Sequence, residues 1–150
     1  MVMQIVPAIL FFVIRLRQGA YSDEDVSVRH ERNELYLVSL VTITLGTLML
    51  LFLNAPIALI ALHVGVWVIS LLCWIINVFW KISVHATTAS STATIAFFLS
   101  PVLGLILGIG AVLVGWSRVR TGNHTPLQVL AGLVLAIVGI SATFAVFGLI

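Results

Sequence analysis

The chain has 150 residues, of which 61% are hydrophobic and 8% are charged, with a net charge of +2 and a mean hydropathy of +1.24. A soluble domain carries roughly 25% charged residues, so this composition excludes a soluble enzyme, a disordered tail and a secreted disulfide scaffold. The single cysteine, Cys73, cannot form an internal disulfide, and the small net charge argues against nucleic acid as a partner. The composition predicts one integral membrane domain, residues 1–150, folded as an all-α polytopic bundle of about six transmembrane helices.

Six apolar segments follow one another along the chain. A helix that crosses a bilayer needs about 20 apolar residues. The first segment is shorter, but its charges follow the apolar run instead of preceding it, which argues against a signal peptide. Ser100-Pro101 divides the fourth segment from the fifth, because proline lacks an amide donor and disfavours helix before it. The approximate spans are residues 2–15, 35–53, 56–80, 85–100, 101–117 and 125–149.

Small residues dominate the fourth and fifth segments. Residues 86–94 are alanine, serine and threonine only, and Gly104 and Gly108 form a pair of small residues one helical turn apart. In a membrane such a helix face permits close packing of neighbouring helices. We expect this packing to bring His85 and His124 towards one another.

The seven basic and five acidic residues fall in three segments that six spans would place on one side of the membrane. The positive-inside rule explains the arginines and predicts that this face is cytoplasmic, in a prokaryotic inner membrane. Topology does not explain the histidines that accompany them, so we predict a polar site at this face. The segments are residues 15–34, 81–85 and 116–124, and their histidines are His30, His85 and His124.

Each segment carries part of a spaced motif. The most specific part is Ser117-Arg118, which His124 follows after five residues, and the other parts are Ser83-Val84-His85 and Arg32. These motifs resemble the signature of the type-2 phosphatidic-acid phosphatase family, which includes the vanadate haloperoxidases. The motifs occur in the same order as in that family, and two helices lie between each successive pair. The resemblance covers residues 25–128.

Five positions depart from the family pattern. Asp25 stands where the family has lysine, Asn33 where it has proline, and Gln128 where it has the final aspartate. In the second motif, Ile82 and Val84 replace proline and glycine. The chain is therefore identified as a divergent member of that family.

The resemblance implies a role for each matched residue. His124 would be the nucleophile that forms a phosphohistidine, and His85 the general acid that protonates the leaving alcohol. Gln128 would take the place of the aspartate that orients the nucleophile. No metal and no cofactor is implied. The phosphate-binding residues would be Arg118, Arg32 and Ser83, with Lys81 and Arg29 as further cations.

Several of these residues have a simpler interpretation. Thr125-Pro126-Leu127-Gln128 has the form of a capping box with proline at the first helical position, so Gln128 could serve only to cap the last helix. Asp25 could pair with Arg29 or Arg118 and hold an empty site shut. Lys81 could be an interface anchor, and Arg29 could belong to a solvated surface.

Two functions remain open on the sequence. The first is a divergent membrane phosphatase that acts on a lipid phosphate or an isoprenoid diphosphate through phosphohistidine. The second is a catalytically inactive family member that serves as a structural or lipid-binding subunit of a larger membrane complex. The expected partners are membrane lipids, a lipid phosphate substrate if the protein is active, and other membrane-complex subunits.

Overall fold

The computed structural model describes the backbone of residues 2–150 and the side chains from residue 6 onward. Six α-helices and one short 3-10 turn make up 80% of the chain, and no strand occurs in the part described. The predicted all-α fold with six helices is thereby confirmed. The elements are α1 (Val2–Arg17), the 3-10 turn (Arg29–Arg32), α2 (Asn33–Phe52), α3 (Ile57–Phe79), α4 (Val84–Leu99), α5 (Pro101–Arg120) and α6 (Pro126–Val146).

Four helices, α2, α3, α5 and α6, are long and apolar enough to cross a membrane, and they mark the chain as an integral membrane protein. Helices α1 and α4 have 16 residues each, which is about 24 Å at 1.5 Å per residue. The hydrocarbon core of a bilayer is roughly 30 Å thick. Of the six expected crossings, length and composition therefore support four.

Polar caps determine where three of the helices begin. Ser83 opens α4 and Ser100 opens α5, and each side chain accepts a hydrogen bond from the backbone amide three residues further on. The predicted capping box at the start of α6 is present. The Thr125 hydroxyl accepts from the Gln128 amide, and Gln128 Oε1 accepts from the Thr125 amide at 3.1 Å. These bonds satisfy amides that would otherwise lack partners at a helix N-terminus.

Helix α4 packs mainly against α5 and α6, and small residues make the approach close. A Cβ added at Gly104 would lie 2.3 Å from the Cα atom of Phe97, and one added at Gly132 would lie 2.7 Å from Thr87 Oγ1. A Cβ at Gly108 would meet no atom within 4 Å. Gly104 therefore supplies the close contact that its sequence pattern predicts, and Gly108 does not.

The three charged segments meet at one end of the bundle, which we call the charged face. Arg29 Nη1 donates to the carbonyl of Val78 at the end of α3, at 2.8 Å. Lys81 Nζ donates to the carbonyl of Asn123, between α5 and α6, at 2.7 Å. Segments far apart in sequence are thus joined by direct bonds. The charged face comprises residues 15–34, 81–85 and 116–124.

Candidate functional site

His124 belongs to the charged face and is buried, with 6% of its surface exposed. Its Nδ1 atom is 3.1 Å from Oε1 of Gln128, and the same oxygen accepts the amide of Thr125. Because this oxygen can only accept, the hydrogen-bond network assigns the proton to Nδ1 of the imidazole. The lone pair of the ring then lies on Nε2.

The surroundings of His124 keep its imidazole neutral. Burial lowers its pKa to about 4, against the opposing effect of the hydrogen bond with Gln128. Nearby Arg32, Lys81 and His85 lower the pKa further through their charges. At neutral pH the side chain is therefore an uncharged base that lies among cations.

Asp25 connects all three charged segments. Its Oδ1 atom accepts a hydrogen bond from Arg118 Nη1 at 2.9 Å and lies 4.0 Å from His85 Nε2. Its Oδ2 atom accepts from Asn123 Nδ2 at 2.9 Å. The sequence left open whether Asp25 pairs with Arg29 or with Arg118, and in the structure it pairs with Arg118. Burial alone would raise the pKa of Asp25, but the positive charge and hydrogen bond of Arg118 hold it below its usual value.

Arg32 is buried, with 7% of its surface exposed. Its Nε donates to the carbonyl of Val26 at 2.7 Å, and its Nη1 donates to the carbonyl of Ile82 at 3.2 Å. Val26 has a φ of +45°, which is rare for a β-branched residue. Arg32 therefore acts as a clamp that holds this strained backbone and ties the first charged segment to the second.

The remaining predicted residues differ in their placement. Ser83 is fully buried, and its hydroxyl is used as the cap of α4. Burial and the charge of Arg32 lower the pKa of Lys81, which is bonded to the third segment. Arg29 is exposed and donates a hydrogen bond to a backbone carbonyl at the end of α3. Ser83 and Lys81 thus belong to the framework of the site, and Arg29 joins the first segment to α3.

Arg118 carries a buried donor that lacks a partner in the part of the chain described. Its Nη1 is bound to Asp25, but its Nε atom is buried and has no hydrogen-bond partner among the described residues. A buried donor without a partner costs about 1–3 kcal/mol, so an anion that accepted from Nε would relieve an existing penalty.

A cavity of about 350 Å³ opens at the charged face, and His85 is among its lining residues, whereas His124 and Arg118 are not. Its polar lining side chains include two carboxylates, a guanidinium and an imidazole, and the other lining side chains are mostly apolar. A ligand with a charged head and an apolar chain matches this division. The polar lining residues include Glu24, Asp25, Arg32 and His85, and the apolar ones include Phe12, Leu35 and Val84.

Asn123 has a position in the site that the sequence did not predict. Its side chain binds Asp25, and its backbone carbonyl binds Lys81. Its place immediately before His124 was the available signal, but a single asparagine in a short connection has many ordinary roles.

Comparison of the chain with known protein families, with characterised proteins and with solved structures finds no match to any of them. The side chains at the charged face and their geometry therefore carry the functional conclusion.

Proposed function

We propose that the protein hydrolyses a phosphate ester of a membrane lipid, either a lipid phosphate or an isoprenoid diphosphate, with His124 as the nucleophile. The observation that carries this proposal is the state of the His124 ring. Its Nδ1 is held by Gln128, its pKa is about 4, and cations surround it. A neutral imidazole with its lone pair on Nε2 is the form that attacks phosphorus.

The reaction has two steps. In the first, Nε2 of His124 forms a bond to phosphorus, the bond from phosphorus to the lipid oxygen breaks, and protonated His85 gives its proton to that oxygen. In the second, a water oxygen attacks phosphorus, the bond to nitrogen breaks, and His85 takes a proton from the water. With a lipid phosphate the products are the lipid alcohol and inorganic phosphate. With an isoprenoid diphosphate, attack at the terminal phosphorus makes the isoprenoid monophosphate the leaving group, and the products are that monophosphate and inorganic phosphate.

Charge at the site favours this chemistry. Arg118 would bind a phosphoryl oxygen through its guanidinium, whose Nε donor has no partner among the described residues. Arg32 and Lys81 have donors engaged with backbone carbonyls, so their contribution is mainly the positive potential around the phosphorus. The apolar side chains that line the cavity would receive the start of the lipid chain.

Phosphate release by the purified full-length protein tests the proposal. Lipid phosphates and isoprenoid diphosphates are supplied in mixed micelles, and His124→Ala is compared with His30→Ala. His30 is an exposed histidine of the same charged face and serves as the matched control. Release that disappears only in His124→Ala is expected. An acid-labile, base-stable label on the protein from a ³²P-labelled lipid would identify the phosphohistidine.

A second candidate function is a lipid-binding subunit without catalysis. Two observations favour it: Gln128 is engaged in the capping box, and Asp25 already occupies one edge of Arg118. No release and no label from a well-folded sample would overturn the enzymatic proposal and favour this alternative.

We also propose that the charged face is cytoplasmic, in a prokaryotic inner membrane, because all the lysines and arginines lie there. Labelling of Ser27→Cys in intact cells tests the orientation. The native Cys73 is buried and gives little background. A membrane-impermeant maleimide should label position 27 only after the cells are opened, and labelling from outside would reverse the assignment.

A further inference from the structure

The Asp25 side chain separates the cavity at the charged face from two groups that the proposed reaction needs. Asp25 and His85 line that cavity, whereas Arg118 and His124 do not. The Asp25 carboxylate also accepts hydrogen bonds from Arg118 Nη1 and from Asn123 Nδ2, each at 2.9 Å. A ligand that entered the cavity would therefore meet this carboxylate before it met Arg118 or His124.

The carboxylate makes contacts that a phosphoryl group would need. One oxygen, Oδ1, accepts from Arg118 and lies 4.0 Å from Nε2 of His85, which is the proton donor in the proposed reaction. The other, Oδ2, accepts from Asn123, the residue that precedes the nucleophile. A guanidinium binds the oxygens of a carboxylate and of a phosphate with the same N–H donors. Asp25 therefore occupies a position where oxygens of the substrate would lie.

The side chain of Asp25 can leave this position while its backbone stays in place. The side chain is 42% exposed, so it has solvent to turn into. The backbone is held at the next residue, because Val26 is buried with a φ of +45° and Arg32 donates to its carbonyl. Rotation of one side chain would therefore join the cavity to Arg118 without opening the loop.

We propose that Asp25 is a built-in competitor of the substrate, and that a phosphate group reaches His124 by displacing the Asp25 carboxylate from Arg118. This inference rests on the proposed function and describes how the same site is closed when no substrate is bound. The cations of the site favour the exchange. A phosphate with two negative charges is attracted to Arg118, Arg32 and Lys81 about twice as strongly as a carboxylate with one.

Binding of inorganic phosphate to the full-length protein in a neutral detergent at pH 7 tests the inference and requires no turnover. The ring resonances of His85 and His124 report binding by NMR, and those of the exposed His30 are the internal reference. Asp25→Ala removes the competing carboxylate, and Asp25→Asn keeps the size of the side chain without its charge. Asp23→Asn is the matched control, because it removes a charge from the same loop and keeps an acceptor oxygen for its backbone partner.

We expect Asp25→Ala to bind phosphate about fivefold more tightly than the wild type, since an exposed ion pair no longer has to be broken. Asp25→Asn should show a smaller gain, because its amide oxygen can still accept from Arg118 but carries no charge. Asp23→Asn should bind phosphate as the wild type does.

Added acetate separates the space that the carboxylate fills from its charge. Acetate has the size of the side chain that Asp25→Ala removes, so it should enter the vacated position in that variant. We expect acetate to weaken phosphate binding by Asp25→Ala, relative to chloride at the same ionic strength. It should have no such effect on the wild type or on Asp25→Asn, in which the position is filled.

Three results would overturn the inference. They are phosphate binding that neither Asp25 variant strengthens, tighter binding by Asp25→Ala that acetate does not weaken, and absence of phosphate binding in all four proteins. Tighter binding without an effect of acetate would show that the carboxylate acts by its charge alone. The proposed function has its own test in the release of phosphate from lipids. Hydrolysis can therefore stand while the competitor fails, and the competitor can stand in a protein that hydrolyses nothing.

Discussion

Gln128 Oε1 lies 3.1 Å from Nδ1 of His124, and it accepts the amide of Thr125 at the same time. One oxygen atom thus completes the cap of α6 and fixes the tautomer of the imidazole. The capping role, which is local, and the orienting role, which would be catalytic, are carried by the same atom. A substitution that keeps this oxygen in place but adds a negative charge to the side chain tests the effect of charge on His124 without changing the geometry.

Gln128→Glu retains the oxygen and adds a negative charge. Opposite charge next to an imidazole favours its protonated form, and an acidic side chain is also favourable in the first turn of a helix. We expect the pKa of His124 to rise by about 1–3 units, measured from the ring resonances of His124 in a pH titration by NMR. Gln128→Leu, which removes both hydrogen bonds, is the contrasting variant and should lower the helix stability by about 1 kcal/mol. If Gln128→Glu left the titration of His124 unchanged, the contact between the two side chains would be refuted.

The stability of the protein should decrease between pH 6.5 and pH 4. The pKa of His124 is about 4 in the folded protein and 6.5 for an ordinary histidine. Above pH 6.5 neither state binds the proton, and below pH 6.5 only the unfolded chain does so until pH 4 is reached. The free energy of unfolding should therefore fall through this window by up to about 3 kcal/mol and then level off with respect to this residue.

Thermal unfolding in one detergent at pH 7 and pH 5 measures this dependence. His124→Asn removes the titrating group and should flatten the difference between the two pH values. His30→Ala, on the exposed surface, should leave it in place. A variant His124→Asn with the same pH dependence as the wild type would show that the loss arises elsewhere.

Arg32→Ala should be strongly destabilising. The substitution leaves the carbonyls of Val26 and Ile82 without their donor in a buried position, at about 1–3 kcal/mol each. Arg29→Ala is the matched control, because Arg29 also donates to a carbonyl but is exposed. We expect it to change stability by about 0.5 kcal/mol or less. Thermal unfolding followed by circular dichroism makes the comparison, and equal losses in the two variants would contradict the clamp.

Gly104→Ala should separate α4 from α5. A Cβ at this position would lie 2.3 Å from backbone Cα of Phe97, which cannot rotate away. Overpacking of this kind costs about 1–3 kcal/mol. Gly108→Ala lies one turn further along the same helix and meets no atom within 4 Å. It should leave the unfolding midpoint unchanged or raise it slightly, because alanine is the better helix former. Similar midpoints for the two variants would refute the close packing at Gly104.

The local rules of the chain were enough to predict the six helices. Apolar runs must bury their backbone polar groups in helices within a membrane, and Ser100-Pro101 and Thr125-Pro126 carry the signals that start α5 and α6. The capping box involving Gln128 could also be predicted, because all its atoms lie within four residues.

The tertiary structure alone decided how the site residues are used. Arg118 and Asp25 are 93 residues apart in sequence, and Arg32 and Ile82 are 50 residues apart. Which charged group meets which depends on how closely α4 packs against α5 and α6, and near the charged face that depends on contacts such as Gly132 against Thr87. Composition and spacing brought the charged residues to one face, because charges avoid the membrane interior. Partner choice at that face is a matter of distances of a few ångströms, which only the packed helices determine.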